Sequence, residues 1–179
     1  MKFSDPCLAG LLVVAMTVGG TGDGVPDSLS VVQALIDAER AGNLDAAVGL
    51  FADDAFIVNV TGRKTAGKEQ LRWFINTEIW MREDFRLHNL QVAGDRVSWV
   101  EPATAAFYKN IGVAPVQFAF EATVLNGKIA SIIAHLPASE IARVGAACTA
   151  QAKEPLLYGR PCSEFVQLVQ AHTRRLVRR

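Results

Sequence analysis

The sequence has neither an excess of one charge nor a metal-binding arrangement of cysteine and histidine. Its 179 residues include 18 basic and 18 acidic residues, so the formal net charge is zero. This balance argues against nucleic-acid binding, because neutralising phosphates requires a basic surface. The three cysteines and three histidines show no metal-ligand spacing. We therefore expect no metal, no cofactor and no nucleic-acid partner.

Long apolar runs are also scarce, and the one present is too short to span a bilayer comfortably. It extends from Cys7 to Val18 (CLAGLLVVAMTV) and follows Lys2. Such a run is typical of a signal peptide, so residues 1–20 are predicted to be one and the protein to be secreted or periplasmic. The alternatives are an uncleaved membrane anchor formed by residues 7–18, or a misassigned start.

Cysteine is rare enough that its pairing can be considered directly. Removal of the leader would leave two cysteines, Cys148 and Cys162. In an oxidising compartment an even pair is a candidate disulfide, which would close the loop around Pro155 and Pro161. Two free, buried thiols are the alternative.

Periodicity predicts helices first and strands afterwards, which is an α+β pattern. Residues 21–29 form a linker, and Asp53-Asp54 is predicted to break the second helix before the first strand. Asn126-Gly127 is the strongest hairpin signal in the chain. The predicted helices are 30–41, 44–51, 68–81, 139–147 and 163–177, and the predicted strands are 55–60, 86–93, 96–108, 113–125 and 128–136.

The last two strands carry apolar residues on both faces, unlike a sheet that is covered on one side only. In the strand before the hairpin, Phe118 and Phe120 lie on one face and Ala119 and Leu125 on the other. Both faces should therefore be covered, one by the N-terminal helices and the other by the C-terminal helix or a second subunit.

Several segments together resemble the nuclear transport factor 2-like superfamily. They are an AGN turn, the segment LDAAVGLFADDAFIVNV, a GKEQ helix start and the hairpin VLNGKIASI. The superfamily includes SnoaL-type polyketide cyclases, ketosteroid isomerases, limonene epoxide hydrolases and scytalone dehydratases. The resemblance covers residues 30–137 and leaves residues 138–179 as a C-terminal helical extension.

The resemblance implies an α+β fold in which a cone-shaped, curved antiparallel sheet wraps around three N-terminal helices. An apolar pocket for a hydrophobic small molecule would open between the concave face and the helices. Many members dimerise through the outer sheet face. A homodimer is therefore expected here unless the C-terminal helix covers that face.

Ketosteroid isomerases supply one set of pocket positions. Their Asp base corresponds to Asn59, and an amide cannot accept a proton at neutral pH. Their first-helix Tyr corresponds to Leu35, while their second acid corresponds to Glu121, so one of three positions is retained in kind.

Limonene epoxide hydrolases supply another set. Their water-holding Asn corresponds to Asn59, and their first-strand Tyr is replaced by Ile57. Their Arg and Asp fall near Glu101 and Ala103, and their last-strand Asp falls at Ala134. That catalytic triad is therefore absent.

Glu121 and Asn59 are the predicted catalytic residues. If Glu121 faces the cone, removal from water would equip it as a general acid or base. The alternative is a carboxylate that faces solvent or pairs with a basic side chain. Asn59 would orient a substrate oxygen or a water molecule.

The remaining predictions concern the pocket walls and the core. By strand alternation His135 faces outward, while Trp73, Trp80 and Trp99 are predicted to lie in the core. The predicted substrate-binding residues are Leu35, Ile57, Ile75, Tyr108, Ile132 and Ala134.

Two functions are compatible with these residues. The first is an enzyme without cofactor that cyclises, isomerises or dehydrates a hydrophobic small molecule by acid/base chemistry. The second is a non-catalytic, exported ligand-binding or interaction domain, which the apolar residues at Leu35, Ile57 and Ala134 favour.

Overall fold

A six-stranded curved sheet is the frame of the protein in a computed structural model that describes residues 26–81 and 87–178. Its strand order is β2-β1-β6-β5-β4-β3. The predicted leader, residues 1–20, lies outside the described residues. The strands are β1 (Phe51–Val58), β2 (Lys64–Ala66), β3 (His88–Ala93), β4 (Arg96–Ala103), β5 (Val116–Leu125) and β6 (Lys128–His135).

Six helices and a small hairpin complete the described part of the chain. Asp27 caps α1, because its Oδ1 accepts a hydrogen bond from the Ser30 N–H at 2.8 Å. None of these helices is long and apolar enough to cross a membrane. The helices are α1 (Ser28–Arg40), α2 (Leu44–Gly49), α3 (Lys68–Met81), α4 (Ala106–Asn110), α5 (Ala138–Ala150) and α6 (Cys162–Val177), and the hairpin pairs β7 (Leu156–Leu157) with β8 (Arg160–Pro161).

The α+β fold is confirmed, but the sheet is mixed instead of wholly antiparallel. β1 runs parallel to β6, with Ile57 opposite Ile132. Strands β3 to β6 form the predicted antiparallel meander, and Asn126 and Gly127 both have positive φ at its last turn. Turn signals relate only strands that a turn joins. No turn joins β1 to β6, so turn residues do not predict whether these two strands run parallel or antiparallel.

The predicted break at Asp53-Asp54 is wrong. Both residues are exposed within β1, where the pairing with β6 shifts between Phe51 and Phe56. Lys68 Nζ lies 2.8 Å from Asp53 Oδ1 and lowers the pKa of that carboxyl group. The strand tolerates two acids because an irregular, solvent-facing stretch needs no apolar side chains.

The C-terminal segment packs against the end of the sheet. Of the two alternatives for the outer sheet face, cover by the C-terminal helix is therefore not the one observed. Phe165 and Val169 of α6 are buried in one cluster with Val60, Phe118 and Ala134. A second cluster lies between the sheet and α1 to α3, and Phe120 packs against both. The predicted boundary at residue 137 stays a prediction, but the segments on either side of it share a core.

Two further contacts hold the C-terminal helices in place. The disulfide between Cys148 and Cys162, with Cα atoms 5.8 Å apart, joins the end of α5 to the start of α6. Arg143 of α5 donates hydrogen bonds to the carbonyl oxygens of Val113 and Pro115. The helices after β6 are thus joined to each other and to the loop before β5.

Because Phe165 is 1% exposed at this shared core, Phe165→Ala should lower the free energy of unfolding by about 3–5 kcal/mol. Val177→Ala on the same helix, where the side chain is 84% exposed, should change it by less than about 0.5 kcal/mol. Urea denaturation followed by circular dichroism measures both. A separate early transition of the C-terminal helices, with the main transition unmoved in Phe165→Ala, would contradict a shared core.

Candidate functional site

A cavity of about 570 Å³ lies between the concave face of the sheet, the helices α1 and α3, and the β7–β8 hairpin. Its volume falls within the range of about 300–1,000 Å³ that is typical of small-molecule sites. Apolar and aromatic side chains form most of its wall. They include Leu35, Ile36, Phe51, Ile57, Val60, Trp73, Phe74, Ile75, Trp99, Phe118, Phe120, Ile132, Ala134, Tyr158 and Phe165.

The pairing register brings the aromatic residues of the sheet together on the concave face. Trp99 lies opposite Phe120, and Phe120 lies opposite Ala134. The Trp99 and Phe120 rings stack with centroids 5.4 Å apart and an interplanar angle of 12°. Phe118 follows two residues away, with its ring centroid 6.4 Å from that of Phe120. One side of the cavity is therefore a continuous aromatic surface.

Glu101 places a carboxyl group in this aromatic wall. It lies opposite Phe118 on the concave face and is 3% exposed. The Trp99 indole Nε1–H donates a hydrogen bond to Glu101 Oε1 at 2.6 Å. This hydrogen bond orients the carboxyl group and offsets part of the cost of its burial.

Other charged side chains border the cavity from different elements. Glu39 of α1 and Glu78 of α3 supply carboxylates, and Glu39 is itself buried. Arg63, after β1, and Arg160 of β8 supply cations. Among the described residues, no group of three or more His, Cys, Asp or Glu side chains is arranged to hold a metal ion.

The expectation that Glu121 faces the cavity is wrong. Glu121 lies opposite Ser98 and Ile133 on the convex face, because its neighbour Phe120 faces inward. Its side chain is 41% exposed, and Glu121 Oε1 is 3.6 Å from Arg96 Nη1. The sheet therefore separates this carboxylate from the cavity.

The sequence did contain a signal for Glu101. Trp99 was predicted to be buried, and residues two apart on a strand share a face. Glu101 therefore had to face the same side as Trp99, and Val97 before them is also buried. The resemblance instead points to Glu121 on β5, where both faces are apolar and alternation does not show which of them faces the cavity.

Asn59 borders the cavity, but as a turn residue instead of a strand residue. It follows β1, and its Oδ1 accepts hydrogen bonds from the Thr61 N–H, the Thr61 hydroxyl and the Arg63 N–H at 3.1, 2.9 and 3.0 Å. The Gly62 N–H donates to the Asn59 carbonyl oxygen at 2.8 Å. The amide oxygen thus holds the β1–β2 turn in shape.

Comparison with known proteins agrees with this architecture. The model of the SnoaL-like domain matches residues 32–132, which is more than half of the chain. The chain belongs to the SnoaL-like domain family. No curated protein matches it in sequence.

Solved structures similar to this SnoaL-like chain share its fold at low sequence identity. An NTF2-like protein of unknown function from Burkholderia pseudomallei is 16% identical, with a TM-score of 0.52 over 66% of this chain and 96% of that one. One from Cytophaga hutchinsonii is 13% identical, with a TM-score of 0.51 over 65% and 95%. A de novo designed protein with a curved β-sheet is 17% identical, with a TM-score of 0.52 over 69% and 96%. These identities establish the fold alone.

Five of the six predicted substrate-binding residues border the cavity of this SnoaL-like domain: Leu35, Ile57, Ile75, Ile132 and Ala134. Their contact with a substrate stays a prediction. Tyr108 does not border it; the residue is fully buried on α4, where its ring lies 4.3 Å from Phe107 and 5.9 Å from Phe118. Burial raises the pKa of the Tyr108 phenol. The predicted strand 96–108 ends at Ala103, and α4 turns this side chain into the core.

The predictions for the three tryptophans are confirmed for one of them only. Trp99 is buried as predicted, but Trp73 and Trp80 are 67% and 85% exposed, contrary to the prediction. His135 is half-buried and lies opposite Ala119 of the convex face, and burial is the main cause that lowers its pKa.

Replacement of Asn59 tests its role in the turn. Asn59→Ala should lower the free energy of unfolding by about 1–3 kcal/mol, because three donors lose their acceptor. Asn59→Asp keeps an oxygen acceptor in place and should cost less. Urea denaturation measures both, and equal stability of the wild type and the two variants would show that these hydrogen bonds contribute nothing.

Proposed function

We propose that the cavity binds a hydrophobic small molecule and that Glu101 acts on it as a general acid or base. The reaction would be an isomerisation, cyclisation or dehydration that begins with proton transfer to or from Glu101. The observation that carries this proposal is the buried Glu101 carboxyl group in the aromatic wall, 2.6 Å from the Trp99 indole nitrogen.

The apolar wall supports binding of a hydrophobic ligand. Trp99, Phe118 and Phe120 present stacked rings to the interior, and aliphatic side chains from α1, α3, β1 and β6 complete the lining. Each apolar Å² that a ligand removes from water contributes roughly 25 cal/mol. A ligand that fills this cavity would therefore be held mainly by apolar burial.

The position of Glu101 supports acid/base chemistry over a purely structural role. Its carboxyl group borders the cavity, and the Trp99 N–H orients one of its oxygens. A carboxylate held at a ligand can accept a proton from an acidic C–H or O–H and return it to a second atom of the same ligand. In an isomerisation these two transfers move a double bond. In a cyclisation the carbanion left by the first transfer would attack an electrophilic carbon of the same ligand, and in a dehydration a hydroxyl group that receives the proton would leave as water.

Glu101→Gln tests this role, and Glu121→Gln is its matched control because Glu121 lies on the opposite face of the sheet. The protein would be incubated with a panel of hydrophobic ketones, epoxides and alcohols, and the recovered compounds analysed by mass spectrometry and chromatography. Glu101→Gln should lower the turnover of an accepted substrate by roughly 10²–10⁴-fold, while Glu121→Gln leaves it unchanged. Undiminished turnover in Glu101→Gln would overturn the catalytic assignment.

The second candidate function is binding without chemistry. Specific residues favour it: Leu35, Ile57 and Ala134 are apolar where related enzymes carry polar groups, and the Asn59 amide oxygen is engaged in the turn. In that case the same panel would contain compounds that bind and are all recovered unchanged.

We also propose that the protein is exported and forms a homodimer through the convex sheet face. The Cys148–Cys162 disulfide supports an oxidising compartment. Val58, Ala119 and Ile133 on the convex face are only half-buried, so this apolar surface has room for a second subunit. Sedimentation equilibrium should give twice the monomer mass, and Ile133→Glu should return it to one; a monomeric wild type would refute the dimer.

A further inference from the structure

The cavity extends beyond the segment that matches the SnoaL-like family. That match ends at residue 132, yet Tyr158, Arg160 and Phe165 also border the cavity. The first two belong to the β7–β8 hairpin and its turn, and Phe165 lies in the first turns of α6. Part of the binding site is therefore built from the C-terminal segment.

Tyr158 lies at the tip of the hairpin and connects the cavity with solvent. Tyr158 and Gly159 form the two-residue turn, both with positive φ. The Tyr158 ring centroid is 4.5 Å from that of Phe107 and 5.5 Å from that of Phe165. The side chain nevertheless remains 46% exposed. One ring thus packs between α4 and α6, borders the cavity and meets water.

The pairing of its two strands alone does not hold the β7–β8 hairpin against the cavity. Each strand has two residues, and an isolated two-stranded hairpin is marginally stable in water. Its anchors are the fully buried Leu157 and the Cys148–Cys162 disulfide, which encloses the whole hairpin between two buried sulfur atoms. The Cys162 N–H also donates to the Pro155 carbonyl oxygen at 3.0 Å.

We infer that this disulfide-tethered hairpin is the wall that retains a ligand in the cavity, and that the Tyr158 ring is the part of it that slows ligand dissociation. The inference rests on the proposed function only in that the cavity binds a ligand; it does not require Glu101 to be catalytic. Loss of the Tyr158 ring opens the cavity beside Phe107 and Phe165. Reduction of the disulfide frees the hairpin from α5, so a bound ligand leaves faster.

The test measures dissociation of a fluorescent apolar probe, anilinonaphthalene sulfonate, by stopped-flow dilution of its complex with the oxidised, full-length protein. Tyr158→Ala should raise the dissociation rate constant roughly tenfold or more, because changes at a binding site act mainly on dissociation. Leu156→Ala is the matched control, since Leu156 is 62% exposed in the same hairpin and does not border the cavity. Its rate constant should stay within roughly twofold of the wild type.

Two further samples distinguish gating from loss of fold. Tyr158→Phe keeps the ring and loses only the hydroxyl group, so its dissociation rate constant should stay far closer to that of the wild type than to that of Tyr158→Ala. Wild-type protein with the disulfide reduced, shown by near-ultraviolet circular dichroism to remain folded, should behave as Tyr158→Ala does. If reduction unfolds the protein, the inference is tested by the dissociation rate constant of Tyr158→Ala compared with those of Tyr158→Phe and Leu156→Ala.

Unchanged dissociation in Tyr158→Ala overturns the inference. So do equal increases in Tyr158→Ala and Leu156→Ala, which would indicate a general loosening of the hairpin. A wild type that binds no probe contradicts ligand binding by the cavity and therefore this inference as well. Probe binding that responds to Tyr158 in a protein whose turnover ignores Glu101→Gln would contradict only the proposed catalytic step.

Discussion

The register in which β4, β5 and β6 pair determines which side chains the cavity contains. Trp99, Phe120 and Ala134 lie in one row across the three strands, and Glu101 with Phe118 forms the next. Because side chains alternate along a strand, a shift of one residue between β4 and β5 would place Glu101 and Glu121 on the same face of the sheet. The Trp99–Phe120 stack and the burial of Phe118 hold the register that keeps them apart.

This register also explains how an acid can persist among aromatic rings. Removing a carboxyl group from water is costly unless a donor compensates it. Trp99 contributes to the aromatic wall and also supplies a donor for the acid, since its ring stacks on Phe120 while its N–H binds Glu101. An apolar residue at position 101 would avoid the cost of desolvation altogether. Residues that lower the stability of a core are expected mainly at functional positions, and this favours a chemical role for Glu101.

The sequence predicted those features that local patterns encode. The helix over Lys68–Met81 and the hairpin at Asn126-Gly127 follow from periodicity and turn chemistry, and both are confirmed. The orientation of β5 could not be obtained in this way. Ala119 and Phe120 are equally compatible with a core, so the alternation of side chains does not show which of them faces the cavity. The parallel pairing of β1 with β6 and the position of α6 depend on contacts between distant segments. Such contacts leave no local pattern.

The two parts of the cavity wall also differ in origin. The strands that carry Trp99, Glu101 and Phe118 lie within residues 32–132, the segment that matches the SnoaL-like domain family. Tyr158 and Phe165 lie outside the family match, yet Phe165 shares a core with Phe118 and Ala134. The C-terminal segment therefore cannot leave without exposing the interior of the sheet. Because this part of the wall lies outside the family match, a change in it can alter how a ligand is retained while Glu101 and its aromatic neighbours stay the same.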